Sequence, residues 1–247
     1  MAKTHVSCLV SRFFADCPDF ISCPNSDQLS ILEVDGIELT FGRRTILQDV
    51  YLRCETGAAT GLIGRNGSGK SCLLKIIFGS LRGSFHSVRV DGRYVVRAHE
   101  ESDLLAFLPQ NGFAMNYLTG TGLASIFRLN SDAIDYLRSI DSVDRHFDQK
   151  IGELSAGLKK LIEVLIVLHM PRKFILLDEP FSFLSPILVE EVIRAIGRQA
   201  GHKGILLTDH LYRHVLEVCD RHYLLTNGNL RTVTDLAELK RYGYLSE

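Results

Sequence analysis

Nowhere in its 247 residues does this chain carry a run of about eighteen apolar residues, the length that a bilayer-spanning helix requires. Its best candidate, Leu161 to Met170, is too short and holds Glu163, so it reads as a buried core helix. A surplus of charge is also missing: 28 basic and 29 acidic residues leave a net charge of −1. Nucleic-acid binding leaves a basic excess or stripe, and this balance argues against it. The six cysteines, at positions 8, 17, 23, 54, 72 and 219, include no C-x-x-C pair. Cys8, Cys17 and Cys23 could join His5 around a metal. Free thiols in a reducing cytosol are the expectation instead, because zinc sites use closely paired ligands. Arg12, Asp16 and Asp19 interrupt the N-terminal stretch, so no secretion signal is expected. Internal repeats and low-complexity tracts are absent.

What the chain does have begins with Gly64-Arg65-Asn66-Gly67-Ser68-Gly69-Lys70-Ser71. These residues match the phosphate-binding pattern G-x-x-x-x-G-K-[ST] at every fixed position. Thr60–Ile63 before them reads as the end of a buried strand. Cys72–Phe78 after them carries apolar side chains at helical spacing, and Gly79 is a stop signal. Strand, glycine loop and helix start in that order make an anion cradle. Glycines let backbone N–H groups turn inward, and the helix N-terminus adds positive potential. Lys70 is placed to reach the β- and γ-phosphates, and Ser71 to hold Mg²⁺.

With 46% hydrophobic residues the chain can build a sizeable core. Residues 1–30 form an extension of unassigned structure, and 31–247 form one domain. Ile31–Val34 and Ile37–Phe41 alternate like a hairpin around Asp35-Gly36, and Ile46–Leu52 continues the alternation. Ser87–Val90 and Tyr94–Val96 suggest a second hairpin around Asp91-Gly92, and Ala106–Leu108 a short strand. A small helical insertion is expected within about residues 112–157, with Ala133, Ile134, Leu137 and Ile140 on one face. Strand–helix alternation then resumes: a helix from about Leu158 to His169, a strand Phe174–Leu177, a helix from Pro186 to about Ile196 and a strand Ile205–Leu207. This is an α/β doubly wound pattern with a mainly parallel sheet.

Phe174–Leu177 is a continuous apolar run ending in Asp178-Glu179, as in a fully buried parallel strand. Ligands bind beyond the carboxyl ends of such strands, where these two acids fall. Asp178 suits Mg²⁺, and Glu179 suits the activation of water.

The phosphate loop, Gln110, Leu154-Ser155-Ala156-Gly157-Leu158, Asp178-Glu179 and His210 occur in the order found in the ATP-binding cassette (ABC) ATPases. Residues from about Ile31 to Leu230 resemble the nucleotide-binding subunit of an ABC transporter. The resemblance implies a P-loop nucleoside-triphosphatase fold with a mainly parallel sheet, an antiparallel β subdomain and a small helical insertion. It implies ATP and Mg²⁺ as ligands, with Gly64, Arg65, Asn66, Gly67, Ser68, Gly69, Lys70, Ser71 and Cys72 at the phosphates. Phe41 corresponds to the aromatic that stacks on adenine; a core strand residue is the competing, weaker reading. Gln110 corresponds to the glutamine that senses Mg²⁺ and the γ-phosphate; with Ser71 and Asp178 it makes the metal set. Ser155 and Gly157 correspond to the signature that contacts ATP held by an opposing cassette. Glu179 corresponds to the general base, and His210 to the switch histidine; with Lys70 and Gln110 they make the catalytic set. A zinc pair of His210 and His214 is the competing, weaker reading.

The implied partners are a second cassette, identical or different, and an integral-membrane subunit docking around residues 111–140, with no nucleic acid. The implied place is the cytoplasm, peripheral on the inner face of the cell membrane. Four positions depart from the family pattern: Leu158, Ala156, Cys72 and Ser185. Ser185 replaces an aspartate but is still expected to cap the helix that Pro186 starts. A soluble ABC ATPase with no transport role and a non-hydrolysing nucleotide-binding module are the alternatives.

Overall fold

The computed structural model describes residues 29–234, 238 and 239; the Cys8, Cys17, Cys23 and His5 group lies outside them. Two sheets carry the fold. The first is antiparallel, in the order β2-β1-β4-β5, from β1 (Ile31–Phe41), β2 (Arg44–Glu55), β4 (Phe85–Val90) and β5 (Arg93–Tyr94). The second has the order β10-β9-β3-β8-β7-β6, from β3 (Ala58–Ile63), β6 (Leu105–Leu108), β7 (Phe174–Asp178), β8 (Gly204–Thr208), β9 (Arg221–Thr226) and β10 (Asn229–Val233). Every neighbour pair in the second sheet is parallel except β9–β10.

Helix α1 (Lys70–Phe78) lies between the sheets. Its Leu73, Leu74, Ile76 and Ile77 pack with Leu32, Leu47 and Leu52 of the first sheet and with Leu62, Phe174, Leu176 and Leu206 of the second. The opposite face of the second sheet receives α5 (Ala156–His169), α6 (Pro186–Ala200) and α7 (Tyr212–Val218). Side chains alternate across a strand, so Phe174 and Leu176 enter one core while Ile175 and Leu177 enter the other. A strand buried on both faces must be apolar at every position, which explains the unbroken run before Asp178.

Helices α2 (Gly120–Ile126), α3 (Ser131–Ser139) and α4 (Asp141–Asp144) form the insertion. Thr119 caps α2 by accepting from the Gly122 N–H, and Asn130 caps α3 by accepting from Ala133. Ala133, Leu137 and Ile140 seat the insertion on the α5 core. No helix of the described residues is long and apolar enough to cross a membrane.

The expected hairpin at Asp35-Gly36 is not formed. β1 runs straight through it, pairing with β2 from Ile31↔Glu55 to Phe41↔Arg44 and with β4 on its other edge. Gly36, at φ +60°, makes a bulge where the register shifts between Val34 and Ile37. Partners on both edges hold the strand extended, and the reversal comes later, at Gly42-Arg43.

The C-terminal end of α5 contains a pH-sensitive contact. His169 Nδ1 donates to the Leu165 carbonyl at 2.8 Å, its ring stacks on Tyr136 at 5.0 Å, and Arg198 lies over the Tyr136 ring. Burial pushes the imidazole down from 6.5 to about 4, and the cations of Lys203 and Arg198 push the same way. The folded chain therefore binds this proton less readily than the unfolded chain does. The stability held above pH 6.5 is lost as pH falls toward about 4, by up to roughly 3 kcal/mol. His169→Gln should lose fewer degrees of melting temperature than wild type between about pH 7 and about pH 4.5; equal losses would assign the acid sensitivity elsewhere.

Candidate functional site

Four neighbouring parallel strands bring their carboxyl ends to one rim. β3 delivers the glycine loop, β8 delivers Asp209 and His210, β7 delivers Asp178 and Glu179, and β6 leads into Gln110. Such a rim is where ligands bind in open α/β sheets.

Gly69 is the N-cap of α1 at φ 106°, a conformation that a side chain would strain, and a Cβ there would lie 2.9 Å from Ile46. The loop can thus aim its N–H groups inward. Lys70 is buried, and its Nζ donates to the Gly64 carbonyl at 2.7 Å and the Arg65 carbonyl at 3.2 Å. Burial pulls its pKa down, while Glu179, Asp178 and Asp209 pull it back up. Ser71 Oγ donates to Asp178 Oδ1 at 3.1 Å. Asp178 is 1% exposed; burial raises its pKa, the Ser71 hydrogen bond lowers it and Glu179 adds repulsion.

Glu179 is the hub. Its Oε2 accepts from Gln110 Nε2 at 2.9 Å and from Ser182 Oγ at 3.0 Å, and His210 Nδ1 lies 3.7 Å away. Its backbone has φ 51°, and its N–H donates to the Thr208 carbonyl. A non-glycine residue held there stores on the order of 1–3 kcal/mol of strain, which the surrounding fold must offset. Asp209 is fully buried and accepts from the Phe181 N–H at 3.1 Å and the Leu211 N–H at 2.9 Å, so it ties the loop after β7 to the loop after β8.

A cavity of about 480 Å³ is lined by Phe41, Arg44, Ile46, Asn66 to Cys72, Gln110, Glu179 and His210. Phe41 is 53% exposed at the end of β1, so it is not a core residue. Cys72 lines the cavity half-buried, and burial raises its pKa, which keeps it a neutral thiol.

The sequence pattern of the family described as "ABC transporter" matches residues 47–182, more than half of the chain. The chain belongs to this family. It is 29% identical over 221 residues to the lipopolysaccharide export system ATP-binding protein LptB of Acidithiobacillus ferridurans, covering 85% of this chain and 92% of that protein. It is 32% identical over 217 residues to the manganese transport system ATP-binding protein MntA of a Synechocystis strain, covering 81% of this chain and 82% of that protein. A solved structure described as the ATP binding subunit of an ABC transporter superposes with a TM-score of 0.74 at 22% identity, over 86% of this chain and 93% of that one. The last likeness concerns the fold alone.

Of the expected site of this ABC cassette, Gly64, Arg65 and Asp178 do not line the cavity but bond to Lys70 and Ser71, which do, and two further members stand apart from it altogether. Ser155 caps α5, its Oγ accepting from the Leu158 N–H at 3.3 Å, and Gly157 packs against the Phe183 carbonyl. Neither lines the cavity that holds Lys70 and Glu179. Ser185 occupies the N-cap of α6, but its hydroxyl makes no capping hydrogen bond, contrary to expectation. The first turn rests instead on Pro186, whose φ is already helical, and on the Val189 N–H donating to the Ser185 carbonyl. His210 and His214 do not share a helix face. His210 precedes α7 and sits by Asp209 and Glu179, while the ring of His214 packs on Phe181 at 5.3 Å.

Sequence reading passed over Asp209, Ser182 and the buried Lys160. Asp209 had a usable signal: it is an acid directly after a buried apolar strand, the same signal that singles out Asp178.

Proposed function

We propose that this chain binds Mg²⁺–ATP, hydrolyses it, and powers transport through a separate membrane subunit. The observation that carries this reading is the convergence of Gln110, Ser182 and His210 on one Glu179 oxygen at the mouth of the phosphate-loop cavity. Loop N–H groups and Lys70 would hold the phosphates, and Phe41 would stack on adenine. Glu179 would accept a proton from the attacking water, while Gln110 and His210 orient that water and the γ-phosphate.

The residues suit Mg²⁺. Ser71 Oγ and Asp178 Oδ1 are hard oxygen donors 3.1 Å apart, the donor type that would hold Mg²⁺. Asp178, Glu179 and Asp209 gather three carboxylates at this rim, a setting that favours a cation beside Lys70. When bound, Mg²⁺ would neutralise charge on the β- and γ-phosphates. The side-chain oxygen of Gln110 would complete the protein's contribution.

Ser155 and Gly157 open a helix N-terminus, an anion site that lies outside the chain's own cavity. They would meet ATP held by a second cassette, identical or different. Residues 111–140 would receive the membrane subunit, which would place this chain on the inner face of the membrane. The transported substrate would be set by that subunit.

Phosphate release by the purified chain tests the reading. Release should rise with protein concentration more steeply than linearly, as two cassettes join, and should stop when EDTA removes Mg²⁺. Nucleotide binding without any phosphate release, alone or with the co-expressed membrane protein, would favour a non-hydrolysing module.

A further inference from the structure

Helix α5 buries two opposite charges that the site above does not use. Lys160 is 4% exposed and Glu163 is 2% exposed. At a spacing of three residues they share one face of the helix that Ser155 caps. Both grip the loop that follows β6. Lys160 Nζ donates to the Gln110 carbonyl at 3.1 Å. Glu163 Oε1 accepts from the Phe113 N–H at 2.9 Å and from the Ala114 N–H at 2.7 Å. Gly112 lies under the same carboxylate at φ +75°, and a Cβ there would come within 2.3 Å of Glu163 Oε2.

An apolar helix face would have filled this space without the desolvation cost of two charges. What the charges add is direction. They fix three backbone groups of an irregular loop at defined points, and the first of those groups belongs to Gln110. The side chain of the same residue donates to Glu179 at 2.9 Å. Lys160 feels the charge of Glu163 first, and then those of Asp178, Asp209 and Glu179, the three acids that also act on Lys70.

We infer that Lys160 and Glu163 are positioning residues: they clamp residues 110–114 to α5 so that the Gln110 amide is presented to Glu179. This rests on the reading of Gln110 and Glu179 as working groups. It also joins two places that the cavity leaves separate. Ser155 starts the helix that holds the clamp, and Lys160 lies about 7 Å further along it. A contact made at Ser155 is thereby tied through a rigid helix to the orientation of Gln110.

Two measurements test the clamp. Hydrogen exchange of the full chain without nucleotide reads the grip alone. The Phe113 and Ala114 amides should exchange at least about tenfold faster in Glu163→Ala than in wild type, and Glu163→Gln, which keeps an acceptor, should restore much of the protection. Steady-state ATP hydrolysis reads the consequence. Lys160→Met should lower kcat roughly 10- to 100-fold with little change in KM, and Lys160→Arg should recover most of it. In a Gln110→Ala background Lys160→Met should add little, because the two act through one contact. Unchanged exchange at both amides, or fully additive losses with Gln110→Ala, would overturn the clamp. If Glu163→Ala does not fold, the Lys160 series decides. If wild type releases no phosphate, the hydrolysis reading fails, while the exchange measurement still judges the clamp.

Discussion

Glu179→Gln should leave ATP binding within about threefold of wild type and cut phosphate release by roughly 10²- to 10⁴-fold, the range that one general base supplies. The substitution is close to isosteric, and the amide oxygen can still accept from Ser182 Oγ, now 3.0 Å from the carboxylate. Backbone strain at φ 51° is unchanged, because glutamine tolerates that conformation no better and no worse than glutamate. What disappears is the negative charge and the capacity to take a proton. Removing one of three clustered acids also eases the approach of phosphates, so affinity has no reason to fall. Equilibrium ATP binding and phosphate release, measured on one preparation, separate these effects. A variant that hydrolyses ATP like wild type would end the assignment of Glu179 as base.

Lys70→Ala should do the opposite and weaken nucleotide binding itself by roughly a hundredfold, from the loss of about 3 kcal/mol of charge-assisted hydrogen bonding to phosphate. Two features push the effect to that size. Lys70 is buried beside Asp178, Glu179 and Asp209, whose repulsion of an incoming phosphate it offsets from within the loop. Its Nζ also bridges the Gly64 and Arg65 carbonyls, so the first turn of the loop loses a tie. Titration calorimetry with ATP reads this directly; an unchanged dissociation constant would remove Lys70 from the phosphate site. Together the two variants separate binding from turnover.

Much of this cassette is legible locally. The phosphate loop announces itself through glycine spacing, and β7 through a run that only a doubly buried strand needs. α5 shows itself through apolar positions at helical period. Misreadings arose where a local signal met a distant constraint. Asp35-Gly36 carries hairpin chemistry, but β2 and β4 hold β1 from both sides and turn the glycine into a bulge. Ser185 has a capping side chain, yet its hydroxyl makes no cap bond. Glu163 is visible only as a charge that spoils a membrane span; its partners Phe113 and Ala114 lie about fifty residues earlier.

From the sequence alone followed the family, the α/β class and the candidate phosphate and metal residues, because motif spacing and side-chain period are properties of neighbouring positions. Only the tertiary structure decided that Gln110, Ser182 and His210 meet at one Glu179 oxygen, that Glu179 is held at positive φ, and that Lys160 and Glu163 grip the loop between them. Those contacts join strands and helices far apart in the chain, and nothing short of the folded sheet order places them side by side.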